Sequence, residues 1–187
     1  MDSKEFFQLI GEFAVEFENI CRLMEDCAMH ILEKEGLQND SISKVLLANH
    51  TADPLKNMLR SLLAERLKTE DFKKVSDLAF SEIQQLIEKR NSIIHAKWIA
   101  PIDDEDWFPK KGFVLGHKLK TNKRGDATEY LKYSKVDFIG YIETCRRIQR
   151  IINLFYFLVA FPDALQKCFK VVENKLVLPN KFGEFET

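Results

Sequence analysis

An arginine, an amide and a histidine stand close together in Arg90-Asn91-Ser92-Ile93-Ile94-His95. Their types suit one kind of chemistry. A guanidinium holds a phosphate through two parallel hydrogen bonds. An imidazole moves a proton near neutral pH. Asn91 and His95 lie one helical turn apart, so on a helix they point the same way. Arg90 and His95 diverge by about 140° on an ideal helix. One copy of the segment therefore makes a poor site by itself, unless the helix end unwinds or a second copy supplies partners. This is a geometric reason to expect a homodimer.

These six residues close an amphipathic helix that starts near Glu70. On a helical wheel Phe72, Val75, Ala79, Ile83, Leu86, Ile87, Ile93 and Ile94 fall on one apolar face. Arg90 falls near the middle of that face, where a charge is expensive unless it is paired or sits in a polar pocket. Thr69-Glu70-Asp71 puts acids in the first turn. The helix should end soon after His95, well before Pro101.

The remaining elements must position this one. Residues 3–35 read as a long helix, with Asp2 and Glu5 as a capping box and Gly36 as the stop. Its seam, Phe6, Ile10, Phe13, Phe17, Ile20, Met24, Cys27 and Ile31, advances in steps of four and three. A short helix at 41–49 follows. Asp53-Pro54 looks like the N-cap and first position of a helix to about Leu67. Residues 113–121 and 128–133 pair as a β-hairpin around 122–126. Ser134 with Asp137 resembles a second capping box, opening a long helix that Pro162 ends or bends. A short helix at 163–172 and a polar tail finish the chain. The fold class expected is all-α, a single helical-bundle domain over 1–187 with an inserted loop and hairpin at about 99–133. Residues 151–161 are apolar nearly all round, which predicts deep burial or a subunit interface.

The totals set bounds. The chain has 187 residues, with 45% hydrophobic and 30% charged, enough for a real core. Twenty-eight basic residues oppose 29 acidic ones for a net charge of -1, so nucleic-acid binding would need a local patch. Cys21, Cys27, Cys145 and Cys168 include no CxxC pair, and they read as reduced thiols of a cytoplasmic protein. Neither a signal peptide nor a membrane span is expected.

The chain resembles the HEPN superfamily. The resemblance rests on a single Arg-x4-His match late in a long helix, with Asn directly after the Arg, in a small helical bundle. It covers roughly residues 3–172, and its specific part is RNSIIH. The hairpin belongs to no pattern of that family. The resemblance implies a metal-independent endoribonuclease acting as a homodimer on RNA, in toxin–antitoxin or antiviral-defence machinery. It makes Arg90, Asn91 and His95 the catalytic residues and leaves 2′,3′-cyclic phosphate ends. No cofactor and no metal are expected, and an antitoxin or regulatory partner fits the analogy. The alternative is a catalytically inactive module of the same fold that binds a nucleotide, RNA or protein.

Other positions carry weaker signals. His30, His50 and His117 lack spaced partners for zinc. The acidic run at 103–106 lacks the spacing of a calcium loop. Arg146, Arg147 and Arg150 form a basic face, and Lys118, Lys120, Lys123 and Arg124 decorate the hairpin. Either set could track an RNA backbone, though a solvated face is the commoner meaning. Trp98 could stack on a base, with capping the core as its plainer role.

Overall fold

The structure, a computed structural model, describes residues 2–48, 50–99, 113–122 and 125–185, with backbone alone at 119–122 and 125–127. The acidic run at 103–106 and the loop cations Lys123 and Arg124 lie outside them, as does the side chain of Lys120. The described chain is mainly helical: α1 (Ser3–Lys34), α2 (Asp40–Leu47), α3 (Ala52–Arg66), α4 (Glu70–Ile94), α5 (Lys135–Ala160) and α6 (Leu165–Cys168). The strands are β1 (Lys97–Ile99), β2 (Phe113–Asn122), β3 (Gly125–Ser134), β4 (Lys170–Val172) and β5 (Lys175–Val177). Two compact units are distinguished, Met1–Phe17 with Glu88–Cys145 and Glu18–Ile87 with Arg146–Thr187. No described helix is long and apolar enough to cross a membrane.

In the first unit local chemistry starts both helices where the sequence predicts. Asp2 Oδ1 accepts the Glu5 N–H at 2.7 Å. Ser134 and Asp137 bond reciprocally: the Ser134 N–H donates to Asp137 Oδ2 at 2.7 Å, and the Asp137 N–H donates to Ser134 Oγ at 3.3 Å. The Ser134 hydroxyl and main-chain N–H hold the Asp137 carboxyl below its ordinary pKa. The predicted hairpin is present but its turn is tighter than expected: β2 and β3 run antiparallel from Phe113 opposite Ser134 to Asn122 opposite Gly125, so Asn122, Gly125 and Asp126 of the expected 122–126 turn belong to the strands. A third strand, β1, joins the free edge of β2.

One face of this sheet is packed. Val114, Leu131 and Tyr133 are buried on it, and Trp98 meets Phe6 at 5.2 Å, Tyr133 at 5.8 Å and Phe138 at 6.4 Å between ring centroids. The Trp98 ring lies over Gly116, where an added Cβ would come within 2.9 Å of it. Three aromatic neighbours hold that ring, so it cannot easily retreat. Gly116→Val is therefore expected to cost about 1–3 kcal/mol through overpacking. A thermal melt equal to wild type would refute this.

The second unit is centred on Phe155, whose ring meets Phe72 at 5.8 Å, Phe80 at 5.9 Å and Phe169 at 5.3 Å. Asn39 caps α2, its side chain accepting from the N–H groups of Ser41 and Ile42. Thr69 Oγ1 accepts the Phe72 N–H at 3.1 Å at the start of α4. Two expectations are corrected here. Asp53 is not the cap of α3, because the helix already begins at Ala52 with Thr51 at the N-cap. Asp53 lies in the first turn and accepts from the Lys56 ammonium at 2.8 Å. The segment 163–172 is not one helix followed by a polar tail. Residues 162–164 form a 3₁₀ turn before the short α6, and β4 and β5 then make a hairpin.

That hairpin gives the basic residues of α5 structural work. Arg147 binds Glu82 with two nitrogens at 2.9 and 3.1 Å and donates to the Leu176 carbonyl at 2.6 Å. Arg150 donates to the Pro179 carbonyl at 2.6 Å. These two guanidiniums fasten the C-terminal segment rather than forming an open RNA-binding face. The apolar stretch 151–161 is largely satisfied within the chain. Ile151, Ile152, Phe155, Leu158 and Val159 are buried, and Phe157 packs on Phe161 and Phe182 at 4.7 and 4.9 Å. None of the four cysteines is joined in a disulfide. Burial pushes the Cys27 thiol up to about 12, with Asp26 adding to the effect, and burial takes Cys168 to about 11.

Candidate functional site

The motif residues sit where α4 gives way to β1. Helix α4 ends at Ile94, and His95 is the first residue beyond it. The chain turns into the sheet two residues later. Asn91 and His95 are exposed, while Arg90 is half-buried. The Arg90 guanidinium lies 5.4 Å from the centre of the Phe17 ring, one contact that helps its charge to be tolerated on an apolar face.

Asn91 is where the site converges. Its side-chain oxygen accepts from Arg90 Nη1 at 3.4 Å. Its main-chain carbonyl accepts the His95 N–H at 3.3 Å. The same carbonyl accepts from the Lys118 ammonium at 3.4 Å. It is one of the last four carbonyls of α4, which carry the negative end of the helix dipole and attract a cation. Lys118 reads in the sequence as one hairpin cation among several. Its place beside the motif depends on the strand register, which spacing alone does not give.

No family model, curated protein or solved structure matches the chain.

Neighbouring residues are committed elsewhere. Lys89 directs its ammonium toward the rings of Tyr133 and Tyr141, at 5.5 and 5.3 Å. Burial lowers its pKa, but the two tyrosines outweigh that and leave it above the ordinary lysine value. Trp98 takes its plainer role. Its Nε1–H donates to the Ile93 carbonyl at 2.9 Å, and its ring packs into the aromatic cluster. It thereby braces the last turn of α4 from the strand that follows.

Among the described residues the other histidines gather no ligand set. His30 stacks on Tyr156 with ring centroids 4.3 Å apart, beside a cavity of about 480 Å³. His50 Nδ1 lies 3.1 Å from the Leu47 carbonyl. His117 stands in β2 opposite Lys97 and Tyr130. Among the described residues no three His, Cys, Asp or Glu side chains group to hold a metal ion.

Proposed function

We propose that this chain is a metal-independent endoribonuclease of HEPN type, working as a homodimer. The observation that carries the reading is the placement at one helix end of Arg90, bonded to the Asn91 side chain, the exposed His95 and the Lys118 ammonium.

The chemistry follows from the side chains. The ribose 2′-oxygen bonds to phosphorus while the P–O5′ bond breaks, leaving a 2′,3′-cyclic phosphate and a free 5′-hydroxyl. One His95 takes the proton of the 2′-hydroxyl. The protonated His95 of the second copy gives a proton to the leaving O5′. Arg90 binds the non-bridging phosphate oxygens and offsets the charge that builds on them. Asn91 orients Arg90. A toxin or antiviral-defence role, with an antitoxin or regulatory partner, fits this activity by family analogy.

A non-enzymatic binding module is the second reading. It is favoured by the placement of Arg90 over Phe17, since that contact also serves packing.

One preparation tests both assembly and chemistry. Sedimentation is expected to give a dimer. RNA cleavage is expected to persist in EDTA and to leave cyclic phosphate ends. Cleavage lost in EDTA and restored by a divalent ion would overturn the mechanism, and a monomer that cleaves at full rate would overturn the dimer.

A further inference from the structure

Among the described residues, no core covers the second face of the three-stranded sheet. Strand alternation sends Trp98, Val114, Leu131 and Tyr133 inward, so their neighbours point outward. The register then lines up two outward rows. Lys97, His117 and Tyr130 form one row across all three strands. Ile99, Leu115 and Lys132 form the next.

Three properties of this face point to a ligand. Tyr130 is 83% exposed, an unusual state for a large ring on a strand that buries Leu131 and Tyr133 beside it. The Lys132 ammonium lies 4.1 Å from the centre of the Phe113 ring, which places a cation against an aromatic at the edge of the face. Lys97 and Lys132 place two ammonium groups in adjacent rows of the face, on either side of His117 and Leu115. Base-stacking rings set among lysines on an open sheet are the means by which proteins hold single-stranded nucleic acid.

We infer that this outer face is a binding platform for single-stranded RNA, with Tyr130 stacking on a base and Lys97 and Lys132 contacting phosphates. The inference rests on the ribonuclease reading for its choice of RNA over another polyanion. It adds to that reading the surface on which the strand lies. Strand β1 begins two residues after His95, so a strand bound along the sheet runs beside the cleavage site. The hairpin insertion is then a substrate-holding arm rather than a decoration.

The test measures binding without cleavage. The probe is a fluorescein-labelled 2′-O-methyl oligoribonucleotide of about 12 nucleotides, which has no 2′-hydroxyl to attack. Its binding to the full chain is followed by fluorescence anisotropy across a salt series. Tyr130→Ala is expected to weaken binding about tenfold, and Tyr130→Phe to stay within about twofold of wild type, because the ring is kept. Lys97→Ala combined with Lys132→Ala is expected to flatten the slope of log K against log salt by about 1.4.

Tyr130 is exposed, so its variants should fold, and circular dichroism melts check that. Binding insensitive to both Tyr130→Ala and the double lysine variant would overturn the platform, whatever the protein does to RNA. Absence of oligonucleotide binding would also overturn it, leaving the face to a protein partner. Platform-dependent binding with no cleavage of ordinary RNA would sustain this inference while removing the catalytic one.

Discussion

His95→Ala is expected to lower RNA cleavage by about 10²–10⁴-fold, the usual contribution of a positioned acid/base group. Its melting temperature should stay at the wild-type value, because the imidazole is exposed and its structural hydrogen bond to Asn91 uses the main chain. Arg90→Ala should lose most cleavage as well. Its stability cost should be at least about 1 kcal/mol, the scale of a cation–ring contact such as the one to Phe17. Arg90→Lys keeps the charge but not the two-pronged grip, so it should recover stability without recovering the rate. Single-turnover cleavage beside thermal melts separates these effects. A well-folded His95→Ala protein cleaving at the wild-type rate would end the assignment. An Arg90→Ala protein that unfolds would make the motif a structural one.

Trp98→Ala should destabilise the protein by about 3 kcal/mol, toward the low end for a large aromatic because Trp98 keeps some solvent contact. The loss would open a gap among Phe6, Tyr133 and Phe138. It would also remove the donor to the Ile93 carbonyl just before the site. Trp98→Phe divides the two contributions. It drops the hydrogen bond and the smaller part of the ring, at about 1–2 kcal/mol. Denaturant titration reads both variants, and a Trp98→Ala midpoint equal to wild type would show that the ring is not part of this core.

The features legible in the sequence are those written in adjacent residues. Asp2 with Glu5, Ser134 with Asp137 and the hairpin strands each depend on chemistry within a few positions, and each is found. The seam of α1 was legible too, except that Leu9 is buried where the spacing favoured Ile10. Strand β1 has only three residues and no period to detect, and it exists because β2 offers it an edge. The C-terminal hairpin did leave a signal. Two runs rich in valine and leucine flank Glu173 and Asn174, both with positive φ, at 47° and 61°. That is the turn two-residue hairpins prefer, but without glycine it does not stand out.

For the site, the types and order of Arg90, Asn91 and His95 were visible, and the arrival of a third cation beside them was not. Lys118 needed the register of β2. The roles of Arg147 and Arg150 needed Glu82 and a tail whose carbonyls only the fold brings near. A charge in a sequence has no partner until distant segments meet.

The clustering of Phe6 with Trp98 and Phe138 bears on the order in which the protein can be made. A ribosome adds about 5–20 residues per second. Phe6 therefore emerges well before either ring it must meet. The first half of α1 spends that interval with its phenylalanines facing water, an exposure that invites association with other nascent chains. The unit that carries the motif closes only when α5 is synthesised, so a truncated product lacking α5 should never display an assembled site.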